Sequence, residues 1–235
     1  IYSLIGNLIM TLVLFILIYL YITIKQKLAA KIRENEQITE MTTQAKLVAL
    51  QSKINPHFLF NTLNAMANLV YKSPEKVEQM ILNLSDIYRK VLRYPDNKNI
   101  AVEDEVNLIR EYLEIEKIRM GDRLDFQISV ESGIERLQIP PLLIEPVVEN
   151  AVIHGIGPKP EGGTVEIRIS RNEHHLLVTV TDDGIGFDDQ SPKSGFGLIS
   201  IKERLTLTFK EGAEMKIFKR HESGVEVCLR IPYAH

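Results

Sequence analysis

The chain has 235 residues, 45% of them apolar and 25% charged, which is ordinary globular usage and room for one or two compact domains. A net charge of −3 gives no basis for a direct nucleic-acid partner, and a single cysteine, Cys228, excludes an internal disulfide and suits a reducing compartment. The first residue is Ile rather than Met, so a longer parent chain with upstream parts is expected.

Residues Ile1 to Ile24 carry no charged side chain. As a helix they would reach roughly 36 Å, against a hydrocarbon core of ~30 Å. Tyr2, Tyr19 and Tyr21 stand near the ends, where aromatic belts sit. A signal-peptide core would be shorter and end in small residues. A buried core helix is the other alternative, and a transmembrane helix is the favoured reading. Lys25, Lys27, Lys31 and Arg33 come next, so everything after Ile24 is expected in the cytoplasm, beneath a plasma or inner membrane.

Residues 25–53 contain neither Gly nor Pro. Ile38, Met41, Ala45, Val48 and Ser52 recur at 3-4-3-4 spacing, a narrow seam that predicts a short coiled-coil linker. Residues 54–120 then predict helices. "INPHFLFN" (Ile54–Asn61) sets His57 and Asn61 four apart, on one face of a continuous helix. Ser73-Pro74-Glu75 reads as cap, first position and acidic first turn. The helix it opens carries Val77, Ile81, Leu84, Ile87 and Val91 on its apolar stripe and stops before Pro95. Another runs from Val102 to Met120, closed by Gly121, with Val106, Ile109, Leu113 and Ile118 inward. Glu103-Asp104-Glu105 is expected to decorate its N-terminus.

After Gly121 the period changes to two. Strands are predicted at Leu124–Val130, Thr164–Ile169, Leu176–Val180, Met215–Arg220 and Val225–Ile231, with helices at Pro141–His154 and Phe196–Phe209. The fold class is therefore α+β: a mixed sheet with helices on one face, spanning 121–235.

Three islands in this half carry chemistry. In "EPVVENAVIHG", Pro146, Asn150 and His154 fall at i, i+4 and i+8. An asparagine oxygen suits a hard cation such as Mg²⁺, while a plain polar helix face is the alternative. In "TDDGIGF", Asp182 can accept a hydrogen bond from an exocyclic amine, and Gly184 and Gly186 let backbone approach a ligand. In "SGFGL", Gly195 and Gly197 open a helix whose N–H groups could bind phosphate. His174-His175 reads as a hairpin turn.

In their order and spacing these islands resemble the ATP-binding domain shared by DNA gyrase, a heat-shock chaperone family, histidine kinases and MutL. The resemblance implies ATP and Mg²⁺ as cofactors. It places Asn150 on the cation, Asp182 on adenine, and Gly184, Gly186, Gly195 and Gly197 in the two glycine boxes. "LQSKINPHFLFNTLN" (Leu50–Asn64), "LRY" (Leu92–Tyr94), "YLEIEKIR" (Tyr112–Arg119) and "GFGLISIKERL" (Gly195–Leu205) resemble LytS/YehU-type sensor histidine kinases. That likeness implies a membrane-bound homodimer that phosphorylates His57 and serves a LytR-like response regulator.

Two positions depart from the relatives. Phe58 stands where many related kinases have a carboxylate after the histidine. Pro146 stands where gyrase-like ATPases have their general base, which favours transfer to His57 over hydrolysis. Glu149 is a candidate substitute acid/base or a surface residue. His154 would contact phosphate or cap its helix, and Arg204 would reach phosphate or face solvent with Lys202 and Glu203. Ser200 replaces a frequent Asn. The resemblance makes Asn61 a candidate for helping water remove phosphate from the partner, with a hydrogen bond inside the hairpin as the alternative.

Overall fold

The computed structural model describes residues 25–27, 31, 56–93, 99–186, 196–209, 212–220 and 223–233. The chain divides into two units, 1–55 and 56–235. In the first, Lys25, Gln26, Lys27 and Lys31 are helical and exposed. The expected span over 1–24 and nearly all of the expected coiled coil lie outside the described residues. No helix among the described residues is long and apolar enough to cross a membrane.

The second unit begins with a helical hairpin, α1 (Pro56–Leu69) and α2 (Pro74–Arg93). Ser73 caps α2 through its carbonyl, which accepts from the N–H groups of Lys76 and Val77. The buried stripe of α2 is Val77, Met80, Leu84, Ile87 and Val91. Ile81, expected inward, is half exposed, because a 3-4-3-4 stripe is met by Met80 three residues after Val77.

A two-residue strand β1 (Ile100–Ala101) leads into α3 (Val102–Met120) and pairs with β3 (Gln138–Ile139), a small sheet the sequence did not suggest. No side chain caps the N-terminus of α3. Its free N–H groups at Val102 and Glu103 donate instead to the carbonyls of Leu137 and Glu135. At the other end Gly121, at φ 63, lets its N–H turn back to the carbonyl of Lys117. Almost every side of α3 is covered: Val102, Glu105, Val106, Leu108, Ile109, Tyr112, Leu113, Ile115 and Glu116 are all buried. It is the central rod between the hairpin and the sheet, packing against α1, α2, β2 (Leu124–Val130) and α4 (Glu145–Asn150).

The remaining strands are β4 (Gly163–Arg171), β5 (His175–Asp182), β6 (Glu214–Lys219) and β7 (Val225–Pro232). They form a five-stranded sheet of order β2-β4-β5-β7-β6, parallel only between β2 and β4. This is the mixed sheet of the expected α+β class. Residues opposite one another in a ladder share a face. Ile128, Ile167, Val180, Val227 and Ile217 therefore make one apolar row across all five strands, and Val130, Ile169, Val178, Leu229 and Met215 the next. The helix α5 (Phe196–Phe209) packs against α4, β6 and β7, burying Ile201 and Leu205 and leaving Lys202 and Glu203 exposed as expected.

Candidate functional site

Asp182 ends β5 on the same face as those apolar rows, directly opposite Val165 of β4. Strand alternation thus points a carboxylate into the core side of the sheet, where it is 4% exposed. Burial raises its pKa to about 6, resisted by the backbone N–H groups of Gly184 and Val225. Gly184 donates to Oδ1 at 2.9 Å. An acceptor held in a desolvated place suits the amine edge of a purine.

Three glycines enclose this carboxylate. A Cβ on Gly155 would stand 2.6 Å from Asp182 Oδ1, one on Gly184 would stand 2.2 Å from the Gly155 backbone, and one on Gly224 would stand 1.9 Å from the Asp182 carbonyl oxygen. Side chains at these positions would fill the cradle. Ile185 closes the contact by donating its N–H to the Gly155 carbonyl at 3.1 Å. Gly186 has φ 72, the left-handed region a glycine adopts freely. The next residue, Asp183, is structural: Oδ1 accepts from the Thr164 N–H and lies 3.9 Å from Lys159 Nζ.

The segment carrying Asn150 and His154 differs from the expected helix. The α-helical part is only Glu145–Asn150, and Ala151–Ile156 continues as a π-helix. The wider turn shifts register after Asn150, so the single face expected for Pro146, Asn150 and His154 is not maintained. Asn150 and Glu149 are half-buried and His154 is exposed. The turn brings Gly155 under Asp182 and Gly184.

Glu105 corrects another expectation. It is fully buried, not an exposed decoration. Oε1 accepts from the N–H groups of Leu143, Ile144 and Glu145, and Oε2 from that of Leu142, at 2.8–3.3 Å. One α3 carboxylate thus ties down the start of α4, including Leu142 at a left-handed φ of 56. Burial raises its pKa and the four N–H groups oppose that. Burial, with Glu149 and Glu105 nearby, raises Glu145 to about 8.

His57 lies in the first turn of α1, and Asn61 is one turn on. The Asn61 amide nitrogen is 3.2 Å from Nε2 and 3.4 Å from Nδ1, so the expected shared face is observed. Phe58 is buried against Tyr112, ring centroids 5.1 Å apart, and pins the turn to α3. His57, Phe58 and Asn61 face Tyr112, Glu116 and Arg119 of α3 and Ile153 and Gly157 of the π-helical turn across a cavity of about 170 Å³. The sequence alone did not single out Tyr112, Glu116 or Arg119 as functional. Their i, i+4, i+7 spacing, which sets all three on one face of the helix, is the signal that could have found them. Gly155 and Gly224 were missed as well, because close backbone approach leaves no mark in one sequence.

Gly195 and the Arg204 side chain lie outside the described residues, and Gly197 is in the first turn of α5.

Residues 140–235, with the glycine-lined carboxylate among them, match the family model described as histidine kinase-, DNA gyrase B- and HSP90-like ATPase, a domain that binds ATP. Residues 45–124 match the histidine kinase family model. The chain thus carries a histidine kinase domain and an ATPase domain, and the proteins it resembles are sensor histidine kinases of the LytS-like family. It is 36% identical over 206 residues to the sensor histidine kinase YpdA of Escherichia coli K12, covering 84% of this chain and 36% of that protein. BtsS of the same strain is 30% identical over 212 residues, with 89% and 38% covered. The sensor protein LytS of Oceanobacillus iheyensis is 27% identical over 214 residues, with 85% and 36% covered. The chain thus spans little more than a third of these relatives' length.

Proposed function

We propose that this chain is the kinase part of a membrane sensor histidine kinase that phosphorylates His57 from ATP and passes the phosphoryl group to an aspartate of a LytR-like response regulator. The observation that carries this reading is the shared cavity. It sets His57 against the π-helical turn that continues from Asn150 and supplies Gly155 to the Asp182 cradle.

Asp182 would accept from the adenine amine, and Gly155 and Gly184 would let the base lie against backbone. An oxygen donor at Asn150 fits Mg²⁺, which would offset charge on the phosphates. Gly184, Gly186, Gly195 and Gly197 would border the nucleotide, and His154 and Arg204 would approach its phosphates. A neutral imidazole can attack through one ring nitrogen while the other carries the proton. Asn61, bonded to the ring, would hold its rotamer. Water-driven hydrolysis has less support, since Pro146 occupies the place of the base and cannot take a proton.

A second copy is the expected partner. Phe60 and Leu63 of α1 and Ile81, Leu82 and Leu92 of α2 are roughly half exposed or more, an apolar surface suited to burial in a dimer. The uncharged 1–24 segment would hold the dimer at the cytoplasmic side of the membrane, in contact with lipid. Incubation with γ-labelled ATP tests the reading. Acid-labile, base-stable label on the protein is expected. Free phosphate without labelled protein would indicate an ATP-driven switch, and neither product would indicate a silent adaptor.

A further inference from the structure

Phosphorylating an imidazole creates a positive ring that must lose its second proton. Phe58 denies His57 an acceptor next to it in the chain. The fold places a carboxylate across the cavity instead. Glu116 is 2% exposed and lines the same cavity as His57 and Asn61. Arg119 holds it through Nε at 2.9 Å and through Nη2, and both bonds fall on Oε2. That pairing holds the carboxylate in place and leaves Oε1 for another donor. Tyr112 is buried on the same wall, and its hydroxyl has no hydrogen-bond partner among the described residues.

We propose that Glu116 orients the His57 ring and takes its second proton during phosphorylation. This rests on His57 being the phosphoacceptor. One ring nitrogen forms a bond to the γ-phosphorus with its lone pair. The bond from that phosphorus to the β–γ bridging oxygen breaks, and its electrons leave with ADP. The proton on the other ring nitrogen passes to Glu116 and from there to solvent, which reaches the exposed edge of His57. The product is a neutral phosphoimidazole.

The test compares wild type, Glu116→Gln, Glu116→Asp and His57→Gln by the initial rate of acid-labile labelling between pH 6 and 9, with ATP affinity measured separately. Positioned proton transfer contributes about 10²–10⁴-fold. Glu116→Gln should lose at least about 100-fold in rate, keep its ATP affinity, and gain rate steeply with pH as hydroxide replaces the carboxylate. Glu116→Asp should recover part of the loss. A Glu116→Gln rate within about threefold of wild type, with the wild-type pH profile, would overturn the proposal. So would an equal loss of rate and ATP affinity, the mark of a structural role. Nitrogen-15 spectra of the wild-type His57 ring supply a check independent of any variant. One fixed tautomer is expected, and a mixture of tautomers would contradict the role. If wild type itself gives no acid-labile label at His57, the phosphoacceptor reading fails first and this proposal falls with it.

Discussion

Asp182 shows how one residue acquires its surroundings from its address. Alternation along β5 places it on the apolar face, and Gly155, Gly184 and Gly224 keep neighbouring atoms close around it. Its pKa of about 6 in place of 3.8 results from that burial. If the ionised form receives the adenine amine, ATP affinity should fall as pH drops below 6. Asp182→Asn should weaken ATP by about 1–3 kcal/mol, roughly 5- to 150-fold. Titration calorimetry at pH 5.5 and 7.5 checks both expectations. Unchanged affinity in the variant would remove Asp182 from the site.

At the scale of elements, the brace from α3 to α4 matters most. Glu105 satisfies four N–H groups of residues 142–145. Glu105→Ala would leave buried donors unmet, at about 1–3 kcal/mol each and less than additively. A total loss above about 3 kcal/mol is expected from urea unfolding, together with weakened ATP binding because α4 leads into the turn under Asp182. A loss below about 1 kcal/mol would show that water replaces the carboxylate. The sequence was most legible where period decided the matter. The five strands and the ends of α3 at Val102 and Gly121 come from alternation and from a glycine at a helix end. It was least legible where tertiary contact overrode local pattern. Glu105 looks like any first-turn acid until the 142–145 turn covers it. The π-helical turn over Ala151–Ile156 serves a backbone contact with Gly184, which no hydrophobic pattern encodes. Of the candidate site, Asp182 and the glycine turn took their reading from a resemblance, and the shared face of His57 and Asn61 from their spacing of four. The Tyr112, Glu116 and Arg119 stripe needed the docking of α1 to acquire meaning.

Across the whole molecule, buried carboxyls make folding sensitive to pH. Asp182 and Glu145 have folded pKa values of about 6 and about 8, above their unfolded values near 3.8 and 4.5. The folded state therefore holds extra protons in that window, and stability falls as pH rises from about 4 to 8. For Asp182 the change is about 3 kcal/mol, at ~1.4 kcal/mol per unit. Thermal unfolding should show a higher midpoint at pH 5.5 than at pH 8. Glu145→Gln should raise the midpoint at pH 8 and flatten the profile, and an unchanged profile would mean that Glu145 does not titrate in this range. The same assembly of hairpin, central helix and sheet leads to the central claim, that His57 receives phosphate from ATP bound at Asp182. The most direct measurement is labelling by γ-labelled ATP in the wild-type chain and in His57→Gln, with peptide mapping of the product. Acid-labile label is expected only in the peptide containing residues 56–69, and none in the variant. Label persisting on the His57→Gln chain, or mapping elsewhere in the wild type, would contradict the claim.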